Sequence, residues 1–164
     1  MKGKKNKKIA LEIVVVTASV FGLMLLLYFV MIVSFQNGTV SSDMTSKLAG
    51  QIARRIFTDP TQDQVMTTSL MIRYGAHLLL FFVVGLVTTF VSMVIFRRYY
   101  RILGVIGAGA VCYLLAYYTE YYKQFVEGRH FNQSDATLNW YGSVAGILCM
   151  VVSYFLNRLL VKLT

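Results

Sequence analysis

The segment Glu120–Gly146, EYYKQFVEGRHFNQSDATLNWYGSVAG, crowds acids, bases, amides and glycines between two apolar runs. Upstream, residues 102–119 contain no Asp, Glu, Lys or Arg, and downstream residues 136–157 contain none either. A run of about 18–20 uncharged, mostly apolar residues is what crosses a bilayer as a helix. The segment therefore reads as a polar connection between two membrane-spanning helices, and that reading sets the fold class.

Working outward, residues 13–42 and 74–96 are two further stretches without charge. The bulk composition agrees, with 57% hydrophobic and 14% charged residues and a mean hydropathy of +0.61, where a soluble domain is about 25% charged. The expected fold is an all-α integral membrane protein. It is a four-transmembrane-helix bundle with helices at about 9–34, 71–96, 102–120 and 137–157, forming a single domain over 1–164. The run at 102–119 is the shortest and holds Gly104, Gly107 and Gly109, so its ends are the least sharply marked. MKGKKNKK followed by a long apolar run, without a small-residue cleavage site before SFQNG, reads as a retained first helix, not a signal peptide.

The net charge of +9 is a topology signal. With both termini cytoplasmic, the inner side carries Lys2, Lys4, Lys5, Lys7, Lys8, Arg97, Arg98, Arg101, Arg158 and Lys162. The outer side carries Lys47, Arg54, Arg55, Arg73, Lys123 and Arg129, which satisfies the positive-inside bias. All the acids except Glu12 fall outside, so the outer face is nearly neutral. Contact of the basic residues with anionic lipid accounts for the charge, and nucleic acid is not an expected partner. Cys112 and Cys149 lie mid-span, without redox-motif spacing, and read as inert packing residues.

SFQNGTVSSD is a turn-rich departure from the first helix, with Ser41, Ser42 or Asp43 able to cap a second one. Met44, Leu48, Ile52 and Ile56 recur every four residues, with Lys47, Gln51, Arg54 and Arg55 on other faces. This predicts a short amphipathic helix in the first outer loop, ended by Asp59-Pro60, either lying on the membrane surface or packed on the bundle.

Helical spacing then selects inward faces. In the second span Arg73, His77, Gly85, Thr88 and Ser92 form one small or polar stripe, and in the third Gly109, Cys112, Ala116 and Glu120 do so. In the fourth, Asp135, Asn139, Gly142, Gly146, Cys149, Ser153 and Asn157 step by three or four, with Gly142 and Gly146 as a GxxxG pair for helix packing. Tyr113, Tyr117, Tyr118, Tyr121 and Tyr122 read as an interfacial aromatic belt.

This threading carries Arg73, His77, Glu120, Arg129, Asp135 and Asn139 to one depth, at the outer ends of three helices. Ionisable groups facing inward at a membrane are costly and mark sites. These six are the ligand-binding candidates. Glu120, Asp135 and His77 are the candidates for acid–base chemistry, the two carboxylates sharing a proton or bridging Arg129. Arg129 and Arg73 can hold a phosphate or carboxylate. One inward histidine and two scattered acids make a weak donor set, so no metal is expected, and no cofactor motif is present.

At these residues the sequence resembles the VanZ-like membrane proteins. Glu120, Gly128, Arg129, Asp135, Asn139, Gly142 and Gly146 match the family's glutamate, Gly-Arg, acid and two-glycine pattern in spacing. Arg73, His77 and Gly85 match its arginine-to-histidine segment, and Ser34, Gln36, Gly38 and Ser41 its Ser-Gln-x-Gly-x-x-Ser turn after the first helix. Lys123 stands where the family usually has glutamine, Glu127 where it has proline, and Leu80 and Phe81 where an acid and aromatic often come after the histidine. Lys123 is placed to pair with Glu120 across one turn instead.

The resemblance implies a multi-pass protein of the bacterial cytoplasmic membrane, associated with resistance to teicoplanin, a glycopeptide with a fatty acyl tail. It brings no established reaction. The residues and the resemblance together favour an outward-facing site that binds an amphipathic glycopeptide or envelope lipid. The alternative is a membrane-embedded enzyme acting on a lipid-linked or peptidoglycan precursor. A transporter is disfavoured, because four short spans without broken-helix signals give little for alternating access.

Overall fold

Why the apolar runs become these particular helices is set largely at their ends. The computed structural model describes residues 2–96 and 101–163, and among them five α-helices and no strand. They are α1 (Lys2–Ser34), α2 (Gly38–Ile56), α3 (Gln62–Ile95), α4 (Arg101–Lys123) and α5 (Gln133–Leu163). Arg97 and Arg98, two of the expected inner basic residues, lie outside the described residues. The segments Ile9–Ser34, Gln62–Ile95, Arg101–Lys123 and Gln133–Lys162 are long and apolar enough to cross a membrane, the make-up of a multi-pass membrane protein.

The ends of three helices differ from expectation. α3 starts at Gln62, well before residue 71, because Thr61 and Gln64 form a reciprocal capping box: the Gln64 N–H donates to Thr61 Oγ1 at 3.4 Å and the Thr61 N–H to Gln64 Oε1 at 2.9 Å. At 34 residues α3 is about 50 Å long, against about 30 Å of hydrocarbon in a bilayer, so part of it projects. α2 is capped by Asn37, whose side chain accepts the Thr39 N–H at 2.9 Å, not by Ser41, Ser42 or Asp43, and it stops at Ile56 with Phe57 as C-cap, ahead of Asp59-Pro60. α5 starts at Gln133, where Asn132 Oδ1 accepts the Ser134 N–H at 2.9 Å, and runs past residue 157 to Leu163.

α2 packs only against α3 among the described elements, and Ala49 and Ala53 are its buried residues. Met44, Leu48 and Ile56 remain exposed, so the small alanine face, not the large apolar one, meets the bundle.

α3 and α5 make the most extensive contact and run in the same direction, as the pairing of Leu78 with Gly142 and Phe82 with Gly146 shows. The glycines are what permit it. A Cβ on Gly142 would stand 2.5 Å from Leu78 O, and one on Gly146 or Gly85 would fall on the carbonyl oxygen of Phe82 or Ser143. Backbone therefore lies on backbone. α4 closes the bundle through Ala108, Cys112, Ala116 and Thr119, all buried, while Gly109 faces open space. α1 rests on α3 and α4 and buries Val30 in a core with Phe81, Val84, Cys112, Ala116 and Ile147.

The small-residue stripe of α5 is shorter than its spacing suggests. Asp135, Asn139, Gly142 and Gly146 are buried, but Cys149, Ser153 and Asn157 are exposed. Of the two free cysteines, only Cys112 packs in the core. Around the bundle Phe21, Leu25, Phe90, Leu114, Val152 and Phe155 are exposed, an apolar outer surface that lipid, not water, suits.

Candidate functional site

The polar site is assembled at the end of the bundle where α1 and α4 finish and α5 begins. The parallel register of α3 and α5 brings most of it together. Arg73 pairs with Asp135, and one turn further along both helices His77 Nδ1 lies 2.8 Å from Asn139 Oδ1. From α4, Glu120 Oε1 accepts the Asn139 Nδ2–H at 3.2 Å and forms an ion pair with Lys123. Glu120, Lys123, Asp135 and Asn139 are 3% exposed or less, so the Glu120–Lys123 pair and the Asp135 carboxylate lie inside the protein, where an unmatched charge would be expensive.

The hydrogen-bond directions can be worked out along this chain. The Glu120 carboxylate beside the Lys123 ammonium can only accept, so Asn139 must turn its NH2 toward it. Asn139 Oδ1 then faces His77 and accepts, which places an imidazole proton on Nδ1. Nε2, the lone-pair nitrogen of the neutral ring and a second donor in the protonated one, stands 3.7 Å from Asp135 Oδ2. The buried oxygens Glu120 Oε2 and Asp135 Oδ1 have no hydrogen-bond partner among the described residues.

Several expected pairings are therefore redistributed. The carboxylates do not bridge Arg129. Lys123 takes Glu120, Arg73 takes Asp135, and Arg129 Nε donates instead to the Gln36 carbonyl at 3.3 Å. The acids are not scattered either: His77, Glu120 and Asp135 each offer a ligand atom within 4.8 Å of the others. Arg73 and Lys123 already pair with these two carboxylates.

The two connections that carry the remaining site residues dock on each other. The Gly38 N–H donates to the Glu127 carbonyl at 3.2 Å, and a Cβ on Gly38 would strike the Gly128 carbonyl oxygen. Gly128 has φ +70°, a left-handed conformation that glycine adopts without a Cβ penalty, and this turn presents Arg129. The Ser34–Ser41 turn and the Gly-Arg turn, far apart in the chain, are thus one structure.

Between these connections, α2 and α3 lies a cavity of about 610 Å³. Arg73, His77, Lys123, Arg129 and His130 line it, with the hydroxyls of Ser41, Ser42 and Ser69 and apolar walls from Val33, Leu70, Leu80 and Phe81. Glu120 and Asp135 sit behind the basic residues and do not line it. Burial, and then the neighbouring Arg73, hold the Arg129 guanidinium below its ordinary pKa. Above one side of the site Tyr117 stacks on Tyr121 with centroids 6.2 Å apart and meets Phe131 edge-on at 5.9 Å, an exposed aromatic network.

Neither the cavity nor the part played by the α2 hydroxyls is foreseeable from sequence. The signals for them are Ser41 in the Ser34–Ser41 motif and the run TVSSD, whose small polar residues read as part of a turn. No protein-family model, curated protein or solved structure matches this chain.

Proposed function

We propose that this chain is a VanZ-like integral membrane protein of the bacterial cytoplasmic membrane, with both termini cytoplasmic and the polar end facing outward. It lowers sensitivity to teicoplanin-type lipoglycopeptides by binding an amphipathic ligand or envelope lipid at that end. The observation that carries this reading is the cavity: basic side chains and hydroxyls on one part of its wall, Val33, Leu70, Leu80 and Phe81 on another. Its volume of about 610 Å³ falls in the range of small-molecule sites, roughly 300–1,000 Å³. In this arrangement α2 lies along the outer surface with Met44, Leu48 and Ile56 in the lipid interface, and the Tyr117–Tyr121 network anchors the same level. The docking of the Ser34–Ser41 turn on the Gly-Arg turn supports the family resemblance, since two of its three motifs meet at one place.

The test is expression in a sensitive Gram-positive host. Tolerance to teicoplanin should rise more than tolerance to vancomycin, which lacks the acyl tail. Equal shifts for both drugs, or none, would remove tail recognition.

A second reading, an enzyme acting on a lipid-linked or peptidoglycan precursor, is favoured by one observation: His77 Nε2 faces Asp135 Oδ2 at 3.7 Å, a place where a proton can be taken up or released. His77→Gln, which cannot accept and release a proton at neutral pH, would then abolish the phenotype at normal protein level. A fully active His77→Gln protein would eliminate acid–base work at this position.

A further inference from the structure

Charge matching at the site leaves a remainder. Lys123 is balanced by Glu120 and Arg73 by Asp135, each within its own ion pair. Arg129 is not balanced: among the described residues it makes no ion pair, and its one side-chain hydrogen bond, from Nε to the Gln36 carbonyl, leaves the terminal guanidinium nitrogens without an acceptor. It lines the cavity half-buried, where a guanidinium gains most from a counter-anion.

What surrounds Arg129 narrows the anion. Among the described residues no carboxylate lines the cavity, so none repels an anion from within it. Ser41, Ser42 and Ser69 bring hydroxyl donors from α2 and α3 to walls that Arg129 and His130 complete from the connection. A flat carboxylate takes a fork of donors in its own plane, whereas a tetrahedral phosphate presents oxygens in several directions and takes donors from separate walls. The apolar wall of Val33, Leu70, Leu80 and Phe81 asks for hydrocarbon attached to that anion. One unmatched positive charge asks for one negative charge.

We infer that the cavity binds a lipid phosphodiester, with the singly charged phosphate on Arg129 and the α2 and α3 hydroxyls, and the acyl chain along Leu70, Leu80 and Phe81. This rests on the amphipathic-ligand reading and names its headgroup. Arg73 and Lys123 hold the potential of the wall positive while remaining tied to Asp135 and Glu120. The connection that carries Gly128 sets where the Arg129 fork points.

The experiment uses the full chain purified in a non-ionic detergent, with binding read by native mass spectrometry and titration calorimetry. The probes are dioctanoyl phosphatidylglycerol, dioctanoylglycerol, octanoate, inorganic phosphate and teicoplanin. The phosphodiester lipid should bind, with dioctanoylglycerol and inorganic phosphate each at least about tenfold weaker, a difference of about 1.4 kcal/mol. Arg129→Ala should weaken the lipid about tenfold or more, and Arg129→Lys, a point charge in place of a fork, should restore only part. Dioctanoylglycerol binding as well as the phosphodiester would overturn the phosphate assignment, and inorganic phosphate binding as well as the lipid would overturn the lipid assignment. Binding of teicoplanin or octanoate without the phosphodiester would overturn this inference and leave the amphipathic reading standing. Binding of none of the probes would overturn both. Because the probe series is run on the wild-type chain, the outcome does not depend on how the Arg129 variants fold.

Discussion

His77 Nδ1 and Asn139 Oδ1 meet at 2.8 Å across α3 and α5, one turn beyond the Arg73–Asp135 ion pair and in the same parallel register. Because Asn139 also donates to Glu120, the histidine is held in one tautomer. Nitrogen-15 NMR of the histidine-labelled protein in detergent should show a protonated Nδ1 and an unprotonated Nε2 for His77. The opposite pattern would mean that Asn139 is turned the other way.

The two ion pairs should respond differently to loss of their acid. Glu120→Gln strands the Lys123 ammonium, which is 3% exposed, whereas Asp135→Asn strands an Arg73 side chain that is 45% exposed and can reach water. Breaking a buried pair costs about 3–5 kcal/mol, so Glu120→Gln should lower the thermal unfolding midpoint clearly more than Asp135→Asn. The double change Glu120→Gln with Lys123→Met should recover much of that loss. If the double variant is no more stable than Glu120→Gln alone, the cost lies elsewhere than in the unpaired ammonium.

Glycines along the bundle separate into two groups. Gly146→Ala drives a methyl group into the Phe82 carbonyl oxygen and should destabilise by about 1–3 kcal/mol, the range for overpacking. Gly107→Ala and Gly109→Ala meet nothing within 4 Å and should be neutral or gain up to about 1 kcal/mol from helix propensity. Thermal unfolding of the three variants side by side checks the ordering.

The cysteines offer a test of how far the α5 stripe is buried. Cys149→Leu, on the outer surface, should leave the thermal unfolding midpoint nearly unchanged, whereas Cys112→Leu, overpacking the core, should destabilise by about 1–3 kcal/mol. Equal effects of the two changes would show that Cys149 is as closely packed as Cys112.

Gly128→Ala should impair the site without touching a charged residue. Its φ of +70° costs an alanine about 1–2 kcal/mol, and the relief is a turn that carries Arg129 away from the cavity. Lipid binding should fall several-fold while the helical signal is retained. Unchanged affinity would mean that the turn does not set the position of the guanidinium.

The spans were legible because absence of charge is a local property. The run 74–96 stops within a residue of the end of α3 at Ile95 and the run 102–119 starts within a residue of the start of α4 at Arg101, while α3 begins earlier, α4 runs on to Lys123, and residues 136–157 lie within α5. The polar stripes were legible too, since 3.6-residue spacing put His77, Glu120 and Asn139 on inward faces. Which acid meets which base was not, because that depends on the sliding register between α3 and α5. The register is fixed by backbone contact at Gly85, Gly142 and Gly146. The early start of α3 had a signal in Thr61-x-x-Gln64, but the polar residues of its first turns hid it from a reading built on hydropathy. Cys149, Ser153 and Asn157 kept the period of the stripe after its partner was gone, and periodicity alone cannot tell where a neighbouring helix departs.

The contact between the Gln36 carbonyl and Arg129 joins residues 93 positions apart. As the chain is made, the first of these turns emerges long before the second, and the cavity between them has no rear wall until α4 is in place and the Gly-Arg turn has reached the same side. The cavity is therefore completed late in biogenesis. A chain arrested after α3 would hold three helices but neither Lys123 nor the Gly128–Asn132 part of the cavity lining.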